Sequence, residues 1–380
     1  MENTDLRRQI DEIDEQIVEL FSKRMDISAE IAAYKQRNSL PIRDPKRERE
    51  KVAHVLEKTP EAYKDYTYSL FSLLMELSRS YQGRLNGFGG DVTNAVKKAV
   101  ESTDKLFPSY ATVACQGIEG ANSQIACDRL FKNANILYFK DFDAVFSAIE
   151  KGMCTYGVVP VENSSAGTVN KVYDLMTRHN FYIVRSVRTK IEHNLLAKPG
   201  VKMEDVREIY SHEQAINQCS KFLSSLRGVR AVPCENTAMA AQMVAESPRN
   251  DIAALASRPC IKLYGLNCLR EDVQNVDNNY TRFICISKNL EIYPGADKTS
   301  VMLTLPHEQG SLYKLLSKLY ALGINLNKLE SRPLPNRDFE FMFYFDLDSP
   351  VYAPNLMQCI GEMKAACDSF TYLGSYSELM

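Results

Sequence analysis

Apolar residues recur at alternating spacings of four and three at the front of the chain. They are Leu6, Ile10, Ile13, Ile17, Leu20, Ile27, Ile31 and Tyr34, with Arg24 in the place a leucine would take. This a/d stripe predicts one long amphipathic helix. A guanidinium in such a seam stays charged, so it must be paired or must meet an anionic ligand. Lys35 stands about three turns and roughly 16 Å further along the axis, so the two cations share a face. Arg7 lies about 25 Å from Arg24 and is turned by about 100°. It cannot easily serve the same pocket in the same chain, but it can serve a partner's. Asp44-Pro45 reads as an N-cap followed by the first helical residue, with Glu48 one turn later. A third helix is predicted from Pro60 to about Gly83, with Phe71, Leu74, Met75 and Ser78 on its inner side and Gln82 a turn beyond Ser78. On spacing alone two readings stay open. Either a polar hole accepts an anion, or Arg24 pairs with a buried Glu while Lys35, Asp44 and Glu48 are solvated.

Beyond Gly83 the helical pattern breaks, and residues 85–108 read as a linker carrying a short amphipathic piece. Residues 109–290 alternate β-like and helical runs, which predicts an α/β domain. Tyr156–Val161 reads as a buried strand ending in the polar turn Glu162-Asn163-Ser164-Ser165-Ala166-Gly167. Val206–Tyr210 leads into Ser211-His212-Glu213-Gln214, with Gln218 further along the helix that opens there. Asn236-Thr237 repeats this strand-then-polar arrangement, as does Ser257 after Ile252–Ala256, and Asn279-Tyr280-Thr281-Arg282-Phe283 enters a strand. Ligands of open α/β sheets collect at such strand ends beside helix N-termini, although capping alone also suits the serines. After a break near Tyr293-Pro294-Gly295, residues 298–376 read as βαββαβ, a small ferredoxin-like sandwich.

At 380 residues the chain has room for two or three domains. Its net charge of −2 and the lack of a basic run leave no reason to expect nucleic acid. No apolar stretch is long enough to span a bilayer and no signal peptide is evident, so a cytoplasmic protein is expected. The ten cysteines are scattered and the five histidines lack metal spacing, so buried thiols and no metal site are expected. Gly87-Phe88-Gly89-Gly90 does not complete GxGxxG, which argues against a nicotinamide cofactor.

Residues 4–84 resemble the all-helical chorismate mutase domain at the front of bifunctional enzymes of aromatic amino-acid synthesis. The family's ligand set falls on Arg7, Arg24, Lys35, Asp44, Glu48, Ser78 and Gln82. The resemblance implies that two chains exchange long helices and that Arg7 crosses into the partner's site. Arg24 and the partner's Arg7 would hold the two carboxylates of chorismate. Lys35 and Gln82 would donate to its ether oxygen, and Glu48, assisted by Asp44, would take its hydroxyl. Such a pericyclic rearrangement needs confinement and charge stabilisation, not a nucleophile.

Residues 111–286 resemble prephenate dehydratase, through Pro160-Val161-Glu162-Asn163-Ser164, His193, Ser211-His212 with Gln218, Asn236-Thr237 and Thr281-Arg282-Phe283. Two departures stand out: Gly117–Ser123 lacks the family's usual Gly-Pro and aromatic, and Asn236-Thr237 replaces Ser-Thr. The family implies a two-lobed, periplasmic-binding-protein-like domain with its site in the cleft. Glu162, Asn163, Ser211, Gln218, Thr237, Thr281 and Arg282 would bind prephenate there. Thr281 would aim at the departing oxygen, Glu162 would relay a proton, and Arg282 would hold a carboxylate.

The tail resembles an ACT regulatory domain, with phenylalanine-site motifs at Gly310-Ser311-Leu312 and Glu330-Ser331-Arg332-Pro333; Ser311 stands where the family has Ala. The whole implies a multidomain, dimeric, bifunctional enzyme taking chorismate through prephenate to phenylpyruvate. Phenylalanine would inhibit it, and no metal or organic cofactor would be needed. The rivals are a monofunctional dehydratase with a structural mutase-like domain and a non-catalytic amino-acid sensor.

Overall fold

The computed structural model describes residues 3–86, 90–334 and 340–380, so Gly87-Phe88-Gly89 of the expected linker lies outside the described residues. The front segment forms three helices: α1 Asn3–Arg37, α2 Pro45–Glu57 and α3 Lys64–Leu85. Asp44 caps α2 by accepting a hydrogen bond from the Arg47 N–H at 3.1 Å. A short 3-10 turn, Glu61–Tyr63, precedes α3, so that helix opens later than Pro60.

Helix α1 is about 52 Å long and α3 about 33 Å, so α3 can cover only part of its neighbour. Ser28 and Ala32 are buried, whereas every residue from Thr4 to Leu20 is exposed. The aliphatic stripe from Leu6 to Tyr34 remains 41% to 64% exposed at each of its apolar positions. The helices of one chain therefore leave this stripe uncovered. Three helices of unequal length lack the surface to cover it. Helix α4, Asp91–Ser102, occupies much of the stretch expected as linker.

Two sheets follow. The first lobe is built from β1 Tyr110–Gln116, α5 Asn122–Leu130, β2 Asn133–Phe139, α6 Phe142–Glu150, β3 Tyr156–Asn163, β4 Gly167–Thr168, α7 Asn170–Arg178 and β5 Tyr182–Lys190. The second contains β6 Asn194–Ala197, β7 Glu208–Ser211, α8 Glu213–Gln218, α9 Ser220–Ser225, β8 Arg230–Pro233, α10 Thr237–Glu246, β9 Ile252–Ala256, α11 Pro259–Tyr264 and β10 Asn267–Arg270. The chain then returns to the first sheet as β11, Tyr280–Ser287. Strand order is β5-β11-β3-β1-β2 in the first sheet, with β4 on β3, and β10-β6-β9-β7-β8 in the second. Each sheet mixes parallel and antiparallel pairs. Central strands covered on both faces read as continuous apolar runs. Accordingly Val113, Ala114 and Cys115 of β1 and all of β9 are buried. All ten cysteines are free thiols.

The tail runs β12 Lys298–Thr304, α12 Ser311–Ala321, β13 Asn325–Pro333, β14 Phe341–Asp348, α13 Pro354–Ala366 and β15 Ser369–Tyr376. Its sheet order is β13-β14-β12-β15, which leaves β13 at an edge. A last short strand, β16 Glu378–Leu379, pairs in parallel with β5. The chain divides into two compact units, residues 1–97 with 301–372 and residues 98–300 with 373–380. Segments 1–84 and 298–376, distinct in the sequence, thus largely share one unit, in which α12 and α13 pack on α3. Among the described residues no helix is long and apolar enough to cross a membrane.

Candidate active sites

A cavity of about 490 Å³ opens in the second unit between its two lobes. Ser123, Asn163, Thr168, Thr281 and Phe283 line it from the first lobe, and His212, Gln214, Gln218, Asn236 and Thr237 from the second. Helices α5 and α10 begin at its wall, with Asn122 and Thr237, and their N–H ends favour negative charge. No Lys or Arg lies among its described lining residues. The turn after β1 sets the start of α5. Gly120 adopts φ +88°, its carbonyl accepts from Ser257 Oγ at 2.9 Å, and a Cβ there would lie 2.9 Å from Cys260 Sγ. The atypical Gly117–Ser123 segment therefore keeps the glycine this close approach requires.

Thr281 sits at the centre of a directional network. The backbone N–H groups of Ser165 and Ala166 donate to Asn163 Oδ1 at 3.0 and 2.8 Å. That fixes the amide, so Asn163 Nδ2 must donate, and it does so to Asn279 Oδ1 at 2.8 Å and Thr281 Oγ at 2.9 Å. Asn279 Nδ2 donates to Gln218 Oε1 at 3.1 Å, and the same oxygen meets His193 Nε2 at 2.9 Å. An oxygen can only accept, so His193 carries a proton on Nε2. Burial pushes the His193 pKa down and so favours the neutral ring, against the opposing pull of its hydrogen bond with Gln218. With its oxygen taken by Asn163, the Thr281 hydroxyl is free to donate its own proton to a guest.

Three expected residues stand elsewhere. Arg282 follows Thr281 in a strand, so it faces the opposite side. Its Nη2 donates to Tyr376 Oη at 2.7 Å and its Nε pairs with Glu378 at 3.0 Å, so it is not placed to hold a substrate carboxylate in the cavity. Glu162 is in register with Arg282 and Thr168, and is not part of the described wall; a proton relay through it has no support in this geometry. Ser211 is buried and donates to the Leu255 carbonyl at 2.8 Å, joining β7 to β9 instead of meeting a ligand. Conversely, the sequence reading gave no role to Asn279, two residues before Thr281, and missed Thr168.

In the first unit Arg24 is partly buried, and its Nη1 donates to the Leu74 carbonyl at 2.9 Å and to Ser78 Oγ. Burial pulls its pKa down, and no carboxylate pairs with it among the described residues. Lys35 Nζ donates to the Ile42 carbonyl. Gln82 is buried with Oε1 lacking a hydrogen-bond partner among the described residues. Arg7 and Asp44 are exposed, and Glu48 is half-buried and paired with Arg79, a residue the sequence reading passed over. In the tail, Gly310 caps α12 at φ +81°, Ser311 and Leu312 open that helix, and Glu330-Ser331-Arg332-Pro333 close the edge strand β13.

Comparison with known proteins gives the chain its family. Residues 6–83 match the model of chorismate mutase type II, and residues 113–291 match that of prephenate dehydratase. Arogenate dehydratase 2 of Petunia hybrida is 36% identical, over 70% of this chain and 72% of its own length. The bifunctional chorismate mutase/prephenate dehydratase of Aquifex aeolicus is 29% identical, over 99% of this chain and 98% of its own. The crystal structure of prephenate dehydratase from Arthrobacter aurescens in complex with L-Phe superposes with a TM-score of 0.64 at 28% identity, covering 70% of this chain and 89% of that one. Both family segments occur in one chain that aligns nearly end to end with a two-activity relative, and the chain belongs to the bifunctional chorismate mutase/prephenate dehydratase family.

Proposed function

We propose that the chain performs both steps with its own residues, the rearrangement of chorismate on the helical segment and the decarboxylative dehydration of prephenate in the α/β cavity. One observation carries the second assignment: Thr281, its oxygen held by Asn163, faces a polar cavity whose described wall has no Lys or Arg. The substrate's ring carboxylate must leave as neutral CO₂, so a guanidinium gripping it would stabilise the ground state more than the transition state. Helix N-termini and amides hold an anion more gently. Thr281 then hydrogen-bonds the ring hydroxyl as it departs and the ring becomes aromatic. Asn163, Gln218 and Thr237 complete the binding set, and Glu162, Ser211 and Arg282 are left out of it.

On the helical segment, Arg24, steadied by Ser78, receives one carboxylate of chorismate. Lys35 and Gln82 face the ether oxygen, and Glu48, near Asp44, takes the hydroxyl. The exposed stripe of α1 is the surface for a second copy, whose Arg7 completes the site. The tail is read as a ferredoxin-like ACT domain that takes phenylalanine at Gly310–Leu312 and Glu330–Pro333. The deciding experiment is a coupled assay from chorismate, with and without phenylalanine. Phenylpyruvate should appear after a prephenate transient and diminish as phenylalanine rises. A chain that turns over prephenate but not chorismate would reduce the helical segment to a structural role, and one inert to both would favour a sensor.

A further inference from the structure

The first unit holds a second cavity, of about 350 Å³, with Glu48 in its wall. Its wall combines Glu48 of α2, Glu76 and Arg79 of α3, Ser311 and Lys318 of α12, and Glu362 of α13. The charged groups form a chain. Arg79 Nη1 pairs with Glu48 Oε1, and Arg79 Nη2 with Glu76 Oε2. Lys318 Nζ takes Glu76 Oε1 and stands 3.5 Å from Glu362 Oε2. Side-chain exposure falls from 24% at Glu48 to 2% at Glu362, so the chain is most open at its Glu48 end.

Within this chain of ion pairs two cations serve three carboxylates; Arg43, Lys314 and Glu308 line the same cavity outside it. Lys318 holds one oxygen of Glu76, which limits Arg79 to the other and leaves its Nη1 for Glu48. Without Lys318, Glu76 would be a buried carboxylate with an uncommitted oxygen. Desolvation penalises that more than it penalises the more exposed Glu48. Arg79 would then turn both nitrogens to Glu76, the bidentate geometry a guanidinium favours, and release Glu48.

We propose that Arg79 is a positioning residue for the mutase reaction, holding Glu48 towards the substrate hydroxyl, and that the tail helix α12 sets Arg79 through Lys318 and Glu76. The mutase site is therefore not self-contained in α1–α3; a residue more than two hundred positions later finishes its alignment. The inference rests on Glu48 as the group that takes the hydroxyl.

The test uses the full chain and steady-state prephenate formation. Lys318→Met should lower mutase kcat/KM about tenfold and Arg79→Met somewhat more, the price of one misaligned charge-assisted hydrogen bond. Lys318→Arg and Arg79→Lys should recover part of the loss. Turnover of added prephenate by the same preparations should be unchanged, and unchanged helical circular dichroism and melting temperature report that the first unit is still folded. In a Glu48→Gln background, Arg79→Met and Lys318→Met should cost nothing further, because both act through Glu48. Losses that multiply with Glu48→Gln, or a Lys318→Met chain with wild-type kcat and KM, would overturn the proposal. If Glu48→Gln itself leaves the mutase rate intact, the reading of the mutase site fails instead. Should Arg79→Met not fold, Lys318→Met and Arg79→Lys still decide.

Discussion

In the helical segment, Arg24 and Lys35 stand partly buried and donate to carbonyl and hydroxyl oxygens, and the apolar face of α1 beside them lies open. In the α/β unit, hydroxyls, amides, two imidazoles, Glu235 and helix ends surround a cavity with no Lys or Arg in its described wall, and the two lobes of one chain enclose it. The difference follows the chemistry. A rearrangement that keeps both carboxylates can use strong cations to confine its substrate. A reaction that expels one carboxylate as a neutral molecule is better served by weak, directional groups.

The strongest way to break that comparison is Arg24→Ala. It should cost roughly a hundred- to thousandfold in mutase kcat/KM while phenylpyruvate formation from added prephenate continues at its normal rate. An unchanged mutase rate would remove the cation half of the contrast. Thr281→Val is the counterpart. Dehydration should fall by roughly a hundredfold, and calorimetry should still show prephenate binding, because the loss is of a donor and not of the cavity. Next, Asn279→Leu should lower dehydratase kcat by about tenfold with little change in KM, since it orients Thr281 through Asn163 without touching the guest; a pure KM effect would place Asn279 in substrate binding. Ionic strength sharpens the contrast further: raising salt from low to about 0.5 M should raise the chorismate KM severalfold and the prephenate KM less.

The smallest effect concerns His193. Its pKa is lowered on folding, so the unfolded chain takes up the extra proton first as pH drops below about 6.5. This group's contribution to stability therefore falls from there downwards until the folded-state pKa is reached. His193→Gln should flatten that part of the melting-temperature profile by a degree or two.

Much of this was legible in the amino-acid order. The a/d stripe fixed α1, Asp44-Pro45 marked the start of α2, and Ile252–Ala256 coincides with β9. Two of the expected pairs divide for one reason. Glu162-Asn163 and Thr281-Arg282 were each read as adjacent ligands, but alternation along a strand lets only one of each pair face the cavity. The register sets Thr281 opposite Asn163 and Glu162 opposite Arg282, and the cavity wall carries the first pair and not the second. The amide network could not be seen in advance, since residues 163, 193, 218 and 279 meet only after two crossings between the lobes. Nor could the ion chain behind Glu48, which joins helices far apart in sequence through Lys318.

Covered by a second copy, as proposed above, the open stripe on α1 would make the first activity depend on how much protein is present. If a second copy must cover that face and lend Arg7, dilution below the dimer's dissociation constant would silence prephenate synthesis while leaving prephenate consumption running. A lysate assayed at low protein would then look like a dehydratase alone, and mixing in more of the same chain would restore the missing step.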